Sequence, residues 1–216
     1  MLRNINGHTF DVDKISNSGW ALDLGSRFFN DFRKPETFES FMLSKGLNVI
    51  SVDPYKNMPV NSNDNCFFIN KACIGVSSDE NMLYYEYRDA GANSLYNKDG
   101  NHKIVQNKNS DFIQSYEVET ITISEIMEQF DIEQFDVIKI DIEGGEYDIL
   151  LNFPKNCTKQ LSVEFHDWLG LNPFENTDDF YDLVESTTLI DYEPHNKIKT
   201  TMSNLYTYCD LLYILK

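Results

Sequence analysis

Short, nearly continuous apolar runs that end in an acid or a glycine punctuate this chain. Residues 20–25 (WALDLG), 47–53 (LNVISVD) and 135–141 (FDVIKID) have that form, and 66–74 (CFFINKACI) and 161–166 (LSVEFH) are similar apolar runs, the second ending in His166. Runs of this length, built of aliphatic, β-branched and aromatic residues, read as strands buried on both faces. Between the first two, residues 35–46 (PETFESFMLSKG) place Phe38, Phe41, Met42 and Lys45 at helical spacing, with Pro35 near the first turn and Gly46 at the stop. Strand, helix, strand in one sheet implies a parallel, right-handed crossover. Further helices are expected over 124–130, with Ser124 as N-cap, over 145–152, and from 177 or 178 to 185. Two closing runs without a helix between them, 188–193 and 210–215, predict an antiparallel hairpin joined by a polar loop. Residues 82–87 and 116–123 read as extended, and 89–111, rich in Asn, Gly, Ser and Lys, as a loop. Residues 1–18 are polar with isolated apolar positions, the pattern of a short hairpin or lid. The α/β order predicts a single domain over 20–216, preceded by an N-terminal extension or lid of residues 1–19.

Period-2 alternation puts Lys139, Asp141 and Glu143 on one face of their strand and Ile138, Ile140 and Ile142 on the other. The same rule groups Ser162, Glu164 and His166. Ligands of parallel α/β sheets bind at the carboxyl ends of the strands, so these groups would converge on one crevice. Ionisable side chains are costly near a core, and their number here points to a functional site. Lys139 and Glu164 read as a buried ion pair across neighbouring strands. At the end of the first strand, Gly25 lets the backbone turn sharply beside a ligand, and Asp23 attracts a ligand ammonium. Asp53 ends the second strand, where an acid takes the hydroxyls of a ribose; as a turn acid before Pro54 it would be structural. The chain has neither G-x-G-x-x-G nor G-x-x-x-x-G-K-[ST], which argues against dinucleotide and P-loop sites. Tyr84, Tyr85, Tyr87, Tyr96 and Tyr116 suit either an acceptor pocket or cross-strand packing, and His195 sits in a segment placed to overhang the crevice.

Charge narrows the ligand class. Thirty-five acids against eighteen bases give 216 residues a formal charge of −17, which disfavours a nucleic-acid surface or an anionic membrane and favours a neutral or cationic ligand. The four cysteines, Cys66, Cys73, Cys157 and Cys209, form no C-x-x-C, and three lie in apolar runs, so they read as buried, inert thiols. With no apolar stretch of signal-peptide or membrane-spanning length, a soluble, cytoplasmic protein is expected.

Asp23-Leu-Gly25, Val52-Asp53-Pro54, residues 118–126 (VETITISEI), residues 136–146 (DVIKIDIEGGE), Val163-Glu-Phe-His166 and residues 210–214 (DLLYI), in this order, resemble the FkbM family of S-adenosylmethionine-dependent methyltransferases. The most specific part is Lys139-x-Asp141-x-Glu143-Gly-x-Glu146 followed by Glu164-x-His166. The resemblance implies a class I (Rossmann-like) α/β fold: a mostly parallel seven-stranded sheet with an antiparallel last strand and helices on both faces. It implies O-methylation of a hydroxyl on a sugar or related small metabolite. Asp23 and Gly25 would flank the methionine part of the S-adenosyl-L-methionine, with Ser26 beside them. Asp53 would hold the ribose, Cys73 would lie near the adenine, and Asp141 would line the methionine end. His166 is then the expected base, with Glu164 to orient it and Glu143 to bind substrate hydroxyls. A divalent metal on Asp141 and Glu143 is compatible with this reading but not predicted. The chain departs from the family where another glycine is usual after Gly25: here Ser26 and Arg27 follow, and Arg27 is placed to meet a carboxylate. A non-catalytic binding module on a degenerate methyltransferase fold is the alternative.

Overall fold

The computed structural model describes residues 1–5, 7–26, 37–56, 64–87, 94–95, 112–166, 177–202 and 206–216, the side chains of 177–178, 196–202 and 206–210 excepted. Arg27, Pro35 and Tyr96, and most of the predicted loop 89–111, lie outside the described residues. In chain order, β1 (Leu2–Ile5) and β2 (His8–Asp11) form an antiparallel hairpin with Ile5 opposite His8. β3 (Trp20–Leu24), α1 (Phe38–Ser44) and β4 (Asn48–Val52) follow. Thr37 starts α1, because its hydroxyl accepts from Ser40 N while the Ser40 hydroxyl accepts from Thr37 N.

The predicted third strand divides. β5 (Cys66–Ile69) pairs with β4, whereas β6 (Ala72–Cys73) leaves the sheet to pair with β9 (Thr120–Ile121). β7 (Met82–Tyr87) and β8 (Phe112–Val118) make a separate antiparallel ribbon. There Tyr84 stands opposite Tyr116 with ring centroids 5.6 Å apart, which is cross-strand packing. α2 (Ile123–Phe130) is capped by Thr122 and Glu125, so the helix begins ahead of the expected Ser124 cap. β10 (Phe135–Ile140), α3 (Glu146–Leu151), β11 (Thr158–His166), α4 (Thr177–Ser186), β12 (Tyr192–Met202) and β13 (Tyr206–Leu215) complete the chain. The closing hairpin is longer than its apolar pattern suggests. Residues 194–202 pair with β13 although they read as loop, while 187–191 turn rather than extend.

Seven strands form one mixed sheet in the order β12-β13-β11-β10-β3-β4-β5. β3, β4, β5, β10 and β11 are mutually parallel, and β13 runs antiparallel to both of its neighbours. The two faces differ in kind. Leu22, Leu24, Ile50, Val52, Ile138, Ile140, Leu161 and Val163 point to one side and pack with side chains of α2, α3 and α4 in a single apolar cluster. Ala21, Val49, Val137 and Cys66 point to the other and meet Phe38, Phe41 and Met42 of α1 with Ile5, Phe10 and Val12 of the N-terminal segment. Each buried Val, Leu, Ile, Phe or Met side chain among these stabilises the fold by about 1.5–3 kcal/mol. On this second face, two residues further along each central strand, the apolar pattern gives way to Asp23, Ser51 and Asp53, Lys139 and Asp141, and Ser162, Glu164 and His166. Among the described residues no helix is long and apolar enough to cross a membrane.

Candidate functional site

Alternation and register together build the site. Lys139 lies opposite Asp23 of β3 on one side and Ser162 of β11 on the other. Its Nζ donates to Asp23 Oδ1 at 2.8 Å and stands 3.7 Å from Asp141 Oδ2. Both members of the Lys139–Asp23 pair are almost wholly buried. The expected Lys139–Glu164 pair is therefore replaced by Lys139–Asp23, since Glu164 lies further along β11 than the residue level with Lys139. The ion pair also engages the Asp23 carboxylate, the group expected to meet a ligand ammonium.

Glu39 of α1 joins this pair from above. It is buried, and burial first and then the neighbouring charge of Asp23, to which it hydrogen-bonds, push its carboxyl from an ordinary 4.5 up to about 8. A folded-state value raised above the unfolded one stabilises the fold at low pH, and that stability is lost as pH rises through about 8. Chemical denaturation is expected to find the wild type weaker at pH 9 than at pH 6, with Glu39→Gln removing on the order of 2 kcal/mol of this difference. An unchanged pH profile in Glu39→Gln would contradict the buried neutral acid.

At the mouth of the crevice β10 gives way to a tight turn. Glu143 takes a left-handed backbone (φ +58°), and Gly144 follows at φ +116°. Glu143 thus enters the site from the turn rather than from a strand face. Glu146, wholly buried, holds the turn: its carboxylate accepts from Ile142 N at 3.1 Å and from Gly144 N at 3.0 and 3.1 Å. The same carboxylate meets His166 Nδ1 at 2.9 Å, while His166 Nε2 faces Glu143 Oε1 at 3.5 Å and Asp141 Oδ1 at 3.9 Å. Carboxylates accept only, so an imidazole between two of them carries a proton on each nitrogen. Burial opposes that charge, but Glu146 and Glu143 raise the His166 pKa well above its ordinary 6.5. A raised His166 pKa favours the charged imidazole, which faces Glu143, over the neutral form that the expected base requires. Glu146 belongs to the motif seen in the sequence, but its organising role depends on the turn.

From the N-terminal side, β2 lies across β11. Gln160 accepts from Asp11 N at 2.8 Å and donates to Asp11 O at 3.1 Å. One turn of alternation away, His8 Nδ1 meets Ser162 Oγ at 3.1 Å. This directs His8 Nε2 at Asp141 Oδ2 (3.6 Å) and Glu164 Oε2 (3.8 Å). Partial burial opposes ionisation of Asp141, yet Lys139, His8 and His166 keep its carboxyl below the usual carboxylate range. For Glu164 burial dominates, followed by repulsion from Asp141, and its pKa is raised.

The other expected cofactor residues fall at the ends of β3, β4 and β6. Gly25 N donates to Val52 O at 2.9 Å, bringing the end of β3 alongside the end of β4. A Cβ on Gly25 would lie 1.8 Å from the Asp141 carbonyl oxygen, so this glycine makes room for the backbone that follows β10. Ser26 Oγ is buried without a hydrogen-bond partner among the described residues. Asp53 is buried, and its Oδ1 accepts from Tyr55 N at 2.8 Å in a turn that faces the same end of the sheet. Cys73 lies off the main sheet in β6, where burial raises its thiol pKa. Burial raises Cys157 likewise and Cys66 to about 12, as expected of inert thiols, and the Cys209 side chain lies outside the described residues. His195 sits at an irregularity of β12 and faces Glu193 at 3.8 Å rather than the crevice acids.

Residues 24–201 match the model of the methyltransferase FkbM domain. Two solved structures are distantly similar. The fibrillarin pre-rRNA processing protein of Methanococcus jannaschii is 9% identical at a TM-score of 0.47, over 100% of this chain and 70% of that one. The N-methyltransferase NodS from Bradyrhizobium japonicum WM9 is 7% identical at a TM-score of 0.34, over 94% of this chain and 87% of that one. No curated protein matches the chain. The family match stands on its own, independent of these distant folds, and the chain belongs to the FkbM methyltransferase family.

Proposed function

We propose that the protein is an S-adenosylmethionine-dependent O-methyltransferase acting on a hydroxyl of a sugar or related small metabolite. In this reading residues 20–216 form a class I methyltransferase domain, and residues 1–19 an extension over its crevice. The observation that carries the cofactor assignment is Ser26 Oγ, a buried hydroxyl without a partner among the described residues at the carboxyl end of β3. Buried polar groups are nearly always hydrogen-bonded, so such an atom wants a ligand. With Asp53 at the end of β4, the residues fit an adenosyl cofactor: Asp53 would hold ribose hydroxyls, and Ser26 and Asp141 would line the methionine end. Bound there, S-adenosylmethionine supplies an electrophilic methyl group on a sulfonium.

The chain's own residues do the rest. Asp141, Glu143 and Glu164 surround the entrance and position an acceptor hydroxyl by hydrogen bonds. Alignment of the reacting oxygen is the larger part of such catalysis. Glu143 takes the hydroxyl proton, and His166, held by Glu146, fixes the carboxylate that receives it. The predominantly acidic lining favours a cationic cofactor and an uncharged acceptor over a phosphorylated one.

Incubation with methyl-labelled S-adenosylmethionine and a panel of polyhydroxylated small molecules tests this. The expected product is a methyl ether, with turnover lowered about a hundredfold in Glu143→Gln. Label on nitrogen, or label on no acceptor, would contradict the O-methyltransferase reading.

A further inference from the structure

His8 is buried more deeply than a surface hairpin requires, and its function is not absorbed by the fold. Its side chain is about 1% exposed, yet Nε2 has no hydrogen-bond partner among the described residues. At 3.6 Å from Asp141 and 3.8 Å from Glu164 it is too far to bond either carboxylate. Leaving an imidazole nitrogen dry and unpaired is costly. The three facing atoms do lie within 4.8 Å of one another. Ligand atoms that share one divalent ion at about 2.1 Å stand about 3–3.5 Å apart, so small side-chain movements would close the set.

We propose that His8 Nε2, Asp141 and Glu164 bind a divalent first-row metal ion, with the N-terminal hairpin supplying the imidazole. Three features support it beyond the spacing. The other ring nitrogen, Nδ1, is tied to Ser162 Oγ at 3.1 Å, and a fixed second nitrogen is how proteins orient a metal-binding histidine. The hairpin is fastened by the Gln160–Asp11 pair of hydrogen bonds, so the imidazole is held in place before any ion arrives. The charge balance also wants a cation. Among the described residues four carboxylates, Asp141, Glu143, Glu146 and Glu164, gather around His8 and His166, while Lys139 is shared between Asp23 and Asp141.

One imidazole and two carboxylates suit Mn²⁺, Fe²⁺ or Zn²⁺ better than Mg²⁺ or Ca²⁺, which prefer all-oxygen sets. Asp141 and Glu164 are about 30% exposed, so the ion would face the crevice with coordination positions open to an acceptor oxygen. A hydroxyl bound to such an ion loses its proton far more readily, and a carboxylate as weak as Glu143 is then a sufficient acceptor. This role rests on the methyltransferase reading, although the site itself does not.

The test is titration of Mn²⁺ alone into the chelator-treated full chain, with unbound Mn²⁺ read by electron paramagnetic resonance. S-adenosylhomocysteine binding is measured separately on the same samples. The expected result is one ion per chain at micromolar affinity, weakened at least about tenfold in His8→Ala and in Glu164→Gln, and unchanged in Asp53→Ala. Glu164→Gln alters a part-exposed side chain and keeps the test open if His8→Ala does not fold. Absence of binding by the wild type at millimolar Mn²⁺, or wild-type affinity in His8→Ala, would overturn the site. Mn²⁺ binding without S-adenosylhomocysteine binding would uphold the site and remove the methyltransferase reading; the reverse would remove the site alone.

Discussion

Lys139→Met is expected to lower stability by about 3–5 kcal/mol, the cost of leaving one half of a buried ion pair behind. Lys139 and Asp23 lie on neighbouring central strands, 2.8 Å apart and each about 3% exposed or less, so water cannot take over the missing partner. Glu39 sits against the same pair and loses the attraction of the Lys139 ammonium. The loss should be specific to the broken pair. Replacing both partners in Lys139→Met/Asp23→Leu removes the stranded carboxylate, and a large part of the stability should return, because apolar groups of similar size often substitute for buried pairs at little cost. Urea denaturation of the wild type, the single variant and the double variant measures both effects. A loss under about 1 kcal/mol in Lys139→Met would mean that the pair is far better solvated than its burial indicates.

Glu146→Ala is expected to disable the site and to cost about 3 kcal/mol of stability. Its carboxylate satisfies the Ile142 and Gly144 amides of a turn in which Glu143 is held at φ +58°, a conformation that a non-glycine residue keeps only under constraint. It also holds His166 at 2.9 Å. Removing it leaves two amides and a buried imidazole without their acceptor, each a costly omission. Faster amide hydrogen exchange at Gly144, together with turnover lowered by about 10–100-fold, is the expected signature. Wild-type exchange at Gly144 would show that the turn is held by other contacts, such as the Ser94 hydroxyl that donates to Glu143 O at 2.6 Å.

Much of this arrangement can be read from the chain because the relevant patterns are local. Short, mostly apolar runs mark β3, β4 and β10, and strict alternation along β11 places Ser162, Glu164 and His166 on one face. What alternation does not contain is register between strands. It places Lys139 on the crevice face, but pairing with Asp23 instead of Glu164 depends on β10 lying between β3 and β11. The contributions of His8 and Glu39 are further removed, since each meets residues more than a hundred positions away or on another element. Both nevertheless leave a trace. Glu39 interrupts the apolar stripe of Phe38, Phe41 and Met42, and His8 alternates with the buried Phe10. A charged or titratable residue inside an apolar face is the signal that would have found them. Residues 194–202 escape because an edge strand tolerates Pro and polar side chains that a central strand does not.

Calorimetry with S-adenosylhomocysteine addresses directly the proposed adenosyl cofactor site at the ends of β3 and β4. The wild type should bind at micromolar affinity. Asp53→Ala should bind about 10–100-fold more weakly, as expected when charge-assisted hydrogen bonds to ribose hydroxyls are lost. No binding by the wild type at millimolar ligand, or equal affinity in the variant, would contradict the assignment.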